Sequence, residues 1–370
     1  MPRVPVLPAD QPPSQPLSED GILACLARHF PQTHPSLLLG RGDDCAVLRA
    51  GRPLCVSSDL FLEDVHFRRS YFTAQDIGHK ALAVNISDLA ACGARPLAFT
   101  LNLGLPCWAD MAWLERFFTG MAALAAQQRM ALAGGDLSRC ERLHISVTVW
   151  GEAAHPGGFL VRGGSMPGDS LFVVGSLGLA RVGLHVLEND GSAALADWPA
   201  ACAAHLRPEP QVDAGLMLAR AGFNARPPAL MDLSDGIMRD LPRLLGLSGE
   251  LRAGAENAGA SRARARTSGL GAAILLPRGL LHAEVLRYAA MHGKNPVHEA
   301  LLGGEDYALL GSCAPDMLPS LHAAIPGFMS IGTVTAGGGI TCNNEALDSC
   351  GDLRGFDHFE QGCGRENFSQ

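Results

Sequence analysis

Apolar residues recur every three to four positions over 18–30, 76–92 and 110–129, which predicts three helices in the first half of the chain. Ser18 precedes the first as an N-cap, with acidic residues in the first turn. Asp76 and Gly93 bracket the second as N-cap and C′ residue. Short apolar runs at 46–48, 54–57, 97–103, 130–133 and 143–150 predict strands, and 40–44 predicts a turn. The order β, β, α, β, α, β, β points to an α/β or α+β layer.

The pattern breaks at 151–164, a stretch containing HPGG and RGG, where a domain boundary is expected. Alternation then resumes. Strands are predicted at 170–174, 229–233, 307–310 and 329–334, and helices at 177–188, 210–221, 236–247 and 280–292. Residues 249–269 are poor in large apolar side chains and read as a mobile insertion whose RARAR run is a solvated loop. The expected organisation is a Pro-rich disordered tail over 1–17, an N-terminal domain over 18–152, a C-terminal α/β domain over 153–360 and a tail over 361–370.

Composition narrows the function. The 370 residues are 47% hydrophobic and 18% charged, enough apolar surface to exclude a wholly disordered chain. The net charge of −8 argues against nucleic acid as a partner. Eleven scattered cysteines form no CxxC, which suits reduced thiols in a cytoplasmic protein. No apolar run reaches the roughly 20 residues that span a bilayer, so no membrane association is expected. The motifs of P-loop ATPases, dinucleotide enzymes, zincins and α/β-hydrolases are absent.

Carboxylates at predicted element ends remain. They are Asp43 and Asp44 before the first strand, Asp59 after Ser57 and Ser58, Asp136 after Gly134 and Gly135, Asp232 and Asp235 around Ser234, and Glu305 and Asp306 after two glycines. Each alone serves as a turn residue or a cap, and Ser234 or Asp235 suits the N-cap of the next helix. Asp88 is different. It lies in the apolar stretch ALAVNISDLAACG, one face with Asn85, where a carboxylate is costly unless paired or metal-bound. Together these residues resemble an oxygen-ligand site for several Mg²⁺ ions. The chain has only two lysines, Lys80 and Lys294, so metal bridging Asp to phosphate is the economical way to neutralise a triphosphate.

The segments GRGDDCAVL, SSDLFLEDVHF, DIGHKALAVNISDLAACGARP, LAGGDLSR, VRGGSMPGD, HLRPEPQV, MDLSDGIMRDL, KNPVHEALLGGEDYALL and GFDHF, in that order, closely resemble the thiamine-monophosphate kinase family. That family belongs to the ATP-binding superfamily of aminoimidazole ribonucleotide synthetase. The resemblance spans roughly residues 18 to 359. It implies a two-domain fold whose N-terminal sheet pairs with its copy in a homodimer. It also implies transfer of the γ-phosphoryl group of ATP to thiamine monophosphate, assisted by Mg²⁺. Carried over residue by residue, Asp44, Ser57, Ser58, Asp59, Asp88, Asp136, Asp232 and Asp235 match metal-ligand positions, with Asp88, Asp136 and Asp235 central to catalysis. Phe118, Gly135, Asp136, Arg162 and Ser234 match ATP contacts. His66, Glu305 and Phe356 match positions that hold thiamine monophosphate.

Four departures stand out. Serines replace the usual threonines at Ser57 and Ser58, which keeps the hydroxyls. Leu137 replaces a hydroxyl residue, and Phe118 a tyrosine. Asp64 stands where glycine is usual, which adds a charge beside His66 or disfavours a left-handed backbone. Other superfamily enzymes fit less well. The selenophosphate synthetase pattern needs a reactive Cys with a nearby Lys, and the hydrogenase-maturation pattern a Cys at the extreme C-terminus. A non-catalytic thiamine-phosphate or nucleotide-binding protein would have lost its metal ligands, and they are intact.

Overall fold

The computed structural model describes residues 18–40, 45–222, 226–246 and 269–347. The N-terminal half runs α1 (Glu19–His29), β1 (Leu37–Leu39), β2 (Val47–Leu48), β3 (Leu54–Leu62), α2 (Ala74–Ala91), β4 (Ala94–Leu105), α3 (Met111–Gln127), β5 (Ala131–Arg139) and β6 (His144–Ala153). Ser18 caps α1 as expected, accepting from the Gly21 N–H at 3.1 Å. The cap of α2 is Thr73, not Asp76. Asp76 stands at the third helical position and completes a reciprocal capping box with Thr73.

Strands β3, β6, β4 and β5 form one sheet in that order, antiparallel except for β4 with β5. Two expected strands are longer than their apolar cores. β3 continues from 57 to Leu62 because it pairs with β6 along its whole length. β5 continues to Arg139 along β4. Asp59 and Asp136 therefore lie within strands rather than after them. Helices α2 and α3 cross closely. A Cβ on Gly78 would lie 2.0 Å from the Phe117 carbonyl oxygen, and one on Gly120 2.0 Å from that of Gln75.

The second half runs β7 (Ser170–Val174), α4 (Leu179–Asp190), α5 (Ala194–Asp197), α6 (Pro199–Leu206), α7 (Val212–Gly222), β8 (Ala229–Asp232), α8 (Ile237–Leu244), β9 (Leu270–Ile274), α9 (Ala283–Met291), α10 (Pro296–Leu301), β10 (Leu309–Cys313), α11 (Leu318–Ala324), β11 (Phe328–Ala336), β12 (Ile340–Cys342) and β13 (Glu345–Ala346). Its seven-stranded sheet has the order β13-β12-β9-β11-β7-β10-β8. β7 and β10 are buried at every position, as central strands covered on both faces should be, and so is β8 at the sheet edge, where Val161 bridges to Ala229. β9, β12, β13 and α10 are not evident in the sequence pattern, being only two to six residues long. Helix α8 opens at Gly236 with no side-chain cap, so neither Ser234 nor Asp235 caps it. Among the described residues no helix is long and apolar enough to cross a membrane.

Candidate active site

Helix α2 lies between the two sheets and decides what faces what. Along β3, Cys55, Ser57, Asp59 and Phe61 turn one way and Leu54, Val56, Ser58 and Leu60 the other, the period-two alternation of a strand. The first set meets α2. The Asp59 N–H donates to Asn85 Oδ1 at 3.1 Å, and Ser57 Oγ donates to Asp88 Oδ2 at 2.5 Å. From its other side, α2 sends Ser87 Oγ to Asp232 Oδ2, the last residue of β8, at 3.1 Å. Asp59, Asp88 and Asp232 are thus drawn toward one place from three elements.

Their electrostatics agree. Burial, then the charge of Asp88, raises Asp59 to about 6. Burial, then Asp88 and Asp240, raises Asp232 to about 8, against the Ser87 hydrogen bond. Asp88 is itself raised by burial, and the Ser57 hydrogen bond and Arg162 oppose that shift. Arg162 lines a cavity of about 330 Å³ with Cys55, Ser57, Asp88, Leu160 and Met231. Of the three aspartates, Asp88 shares this cavity with the Arg162 guanidinium.

The loop after β8 is tied to the loop before β10. The Glu305 N–H donates to the Ser234 carbonyl and that of Tyr307 to the Leu233 carbonyl, at 2.8 and 2.9 Å. Glu305 and Tyr307 both adopt positive φ, 61° and 46°. Asp306 accepts from the N–H groups of Gly178 and Ala180 at the start of α4. Burial, then the charges of Glu305, Asp232, Asp59 and Asp88, raises the Tyr307 phenol well above the ordinary value. Glu305 therefore belongs to the same cleft as the three aspartates.

Comparison with known proteins settles the family. The family model described as AIR synthase related protein, N-terminal domain, matches residues 42–153. Thiamine-monophosphate kinase of Escherichia coli O157:H7 is 34% identical over 353 residues, 92% of this chain and 98% of the relative. The chain belongs to the thiamine-monophosphate kinase family. It is a kinase. The solved structure of the family member from Stenotrophomonas maltophilia K279a, 32% identical, superposes with a TM-score of 0.72 over 90% of this chain and 98% of that one. A solved structure of AaThiL complexed with AMPPCP and TMP, 30% identical, gives 0.68 over 92% and 97%. The fold is thus the α/β fold of this family.

The structure separates the family-matched positions into groups. Ser57, Asp59, Asp88, Asp232 and Arg162 converge as described. Ser58 does not join them. Its side chain turns to the opposite face and meets Thr148 Oγ1 at 2.8 Å. Asp235 accepts from Arg243 Nη1 at 2.7 Å and lies 3.5 Å from Arg239 Nε, within its own helix region. The Ser234 and Asp235 N–H groups donate to Asp240 Oδ2.

Asp136 and Gly135 sit on β5, at the opposite edge of the sheet from β3. Three strand spacings, about 14 Å, intervene. Phe118 is also apart. It is fully buried against Phe30 and Phe117 in the core between α1 and α3. Asp44 and Phe356 lie outside the described residues. Among the described residues, the one trio of His, Cys or carboxylate ligand atoms within 4.8 Å of one another is Cys25, His29 and Glu115, away from this cleft. The three aspartates are more widely spaced than that.

His66 follows β3, half-buried, its ring on Phe61 and its Nδ1 accepting the Leu62 N–H at 3.0 Å, so the ring proton is on Nε2. Asp64 beside it adopts φ 66° and places Oδ2 3.1 Å from Arg142 Nη1. The left-handed backbone is retained, since aspartate tolerates it better than most residues, and the added charge is paired away. Lys80, Asn85, Ser87, His205, Asp240 and Tyr307 complete the cleft without having been singled out as site residues from the sequence. Lys80 carries a signal nonetheless: a lysine within DIGHKALAV, with Ile77, Ala83 and Val84 beside it on the helix.

Proposed function

We propose that this kinase transfers the γ-phosphoryl group of ATP to thiamine monophosphate, giving thiamine diphosphate, in one direct in-line step assisted by Mg²⁺. The observation that carries this reading is the convergence of Asp59, Asp88 and Asp232, all three raised by burial and Asp59 and Asp232 also by the charge of Asp88, beside the Arg162 guanidinium. Carboxylates arranged against their own repulsion suit a hard divalent cation with oxygen ligands. The solved AaThiL complex with AMPPCP and TMP supports the nucleotide and acceptor classes.

Asp59, Asp88 and Asp232 would hold Mg²⁺ with Ser57 beside them, and Asp44, Ser58, Asp136 and Asp235 are the further ligands the family pattern proposes. The bound cation would neutralise the charge that develops between the phosphates. The attacking oxygen of the acceptor phosphate is already anionic, so no residue need act as a strong base. Arg162 would offer its planar fork to ATP phosphate oxygens. Gly135 and Ser234 would allow close approach of the triphosphate, with Phe118 supporting the nucleotide end through the core. His66, Glu305 and Phe356 would hold thiamine monophosphate, with Glu305 facing the thiazolium cation.

The same reading makes the active form a homodimer. Val56 and Leu60 are 62% and 60% exposed on the face of β3 turned away from α2. A second copy covering that face would bury them and would supply the Asp136 carboxylate that one chain keeps across its own sheet. We take 18–152 and 153–360 as the two domains and the cytoplasm as the setting. Product analysis tests the function. Incubation with Mg²⁺, ATP and thiamine monophosphate should give thiamine diphosphate, and incubation with free thiamine should not. Absence of diphosphate from the monophosphate would overturn the reading.

A further inference from the structure

Lys80 is 0% exposed, deep in α2, where burial disfavours its cation. Its Nζ lies 3.2 Å from Glu305 Oε2 and 5.4 Å from the ring centre of Phe72. His205, near the end of α6 and also buried, places Nδ1 3.1 Å from the same Oε2. Burial and the neighbouring Lys80 cation disfavour the His205 imidazolium, and its Nδ1 lies within contact distance of the carboxylate but outside hydrogen-bond geometry, a gap that a small ring rotation closes. Phe72 packs edge-on against the imidazole at 5.4 Å. Burial alone would push Glu305 up, but Lys80 and His205 hold it down to about 2.

Two helices distant in sequence, α2 and α6, thus converge on one oxygen of one carboxylate. A buried ion pair contributes little net stability, because desolvation offsets the attraction. The left-handed φ of Glu305 adds a further conformational cost. Such an arrangement is expected where a carboxylate must be kept charged and in one orientation. Both contacts go to Oε2. A quarter of the Glu305 side chain remains accessible.

We propose that Lys80 and His205 are positioning residues that fix Glu305 as an oriented carboxylate, leaving Oε1 for the cationic ring of the acceptor, and so set the site's preference for an acceptor bearing a fixed positive charge. This rests on the reading that Glu305 meets the acceptor. Lys80 balances much of the net charge, so the preference comes from orientation. The carboxylate oxygen nearer the acceptor outweighs the ammonium behind it.

Steady-state kinetics of the full chain test this, varying thiamine monophosphate and ATP separately for the wild type, Lys80→Met, His205→Leu and His205→Asn. Lys80→Met should raise KM for thiamine monophosphate by at least roughly tenfold, the scale of one hydrogen bond to a charged group, with KM for ATP within about twofold. His205→Leu should do the same to a smaller extent. His205→Asn, which can replace the Nδ1–H donor, should recover most of that loss. If Lys80→Met does not fold, the two His205 variants decide the matter. Equal increases in both KM values, no change in either, or no difference between the leucine and asparagine variants would overturn the inference. A wild-type protein that makes no thiamine diphosphate would overturn the proposed function, and this inference with it.

Discussion

Ser87 on α2 donates its hydroxyl hydrogen to Oδ2 of Asp232 on β8 at 3.1 Å, and both residues are buried. This bond ties α2 to the second sheet and is one of few forces lowering the Asp232 carboxyl, which burial and then Asp88 and Asp240 raise to about 8. The cluster therefore sacrifices stability for function. Asp232→Asn keeps an acceptor for Ser87 and removes a charge. The variant should melt at the same or a higher temperature without metal, yet lose at least about 100-fold in kcat, the scale expected when one stabiliser of transition-state charge is removed. Thermal unfolding and initial rates read the two effects separately.

The raised carboxylates also set a pH dependence. Asp59 at about 6 and Asp232 at about 8 lie above the ordinary carboxylate value, so the folded protein holds these protons more tightly than the unfolded chain. Their contribution to metal-free stability is complete below the unfolded value near 4 and is lost as pH rises through 6 and 8. Mg²⁺ must displace those protons. The rise in melting temperature produced by saturating Mg²⁺ should accordingly be larger at about pH 8 than at about pH 6. A Mg²⁺ effect that shrinks over this range would contradict the assignment.

Gly135 has φ 154°, and a Cβ built there would lie 1.8 Å from the Leu101 carbonyl oxygen of the paired strand. The contact is with backbone and cannot be relieved by a rotamer change. Gly135→Ala should cost about 2–4 kcal/mol of stability by forcing β4 and β5 apart, and should impair turnover by moving Asp136. Denaturant unfolding measures the first and initial rates the second.

If Asp136 serves the site of a second copy, two inactive variants should complement each other. Asp88→Asn and Asp136→Asn, each at background alone, should recover up to about a quarter of wild-type activity when mixed and allowed to exchange, because half the dimers are mixed and each holds one intact site. No recovery under confirmed exchange would place Asp136 in its own chain's chemistry or outside the chemistry.

Much of this was legible in the sequence, and the exceptions are physical. Asp88 stood out because a carboxylate in an apolar helix needs a reason. Gly135 and the loop around Ser234 marked close backbone approaches. Adjacency in sequence groups Ser58 with Ser57 and Asp59, whereas strand alternation turns its side chain to the far face of β3. The placement of Asp136 depends on strand order, and no local pattern reports that β3 and β5 occupy opposite edges. His205 opens the family segment HLRPEPQV, but nothing in that segment gives it a role. A histidine near a helix end among alanines is an ordinary core residue until the fold brings Glu305 to it. Lys80, one of two lysines in the chain, has Ile77, Ala83 and Val84 beside it on α2, a setting that calls for a buried partner.

The most direct test follows the phosphoryl group itself. Wild-type protein and Asp88→Asn would each be incubated with γ-labelled ATP, Mg²⁺ and thiamine monophosphate, and the label counted in the terminal phosphate of separated thiamine diphosphate. The wild type should move label into that position only with Mg²⁺ present, and Asp88→Asn should fold but move almost none. Near-normal transfer by Asp88→Asn, or wild-type transfer that is indifferent to Mg²⁺, would contradict the account.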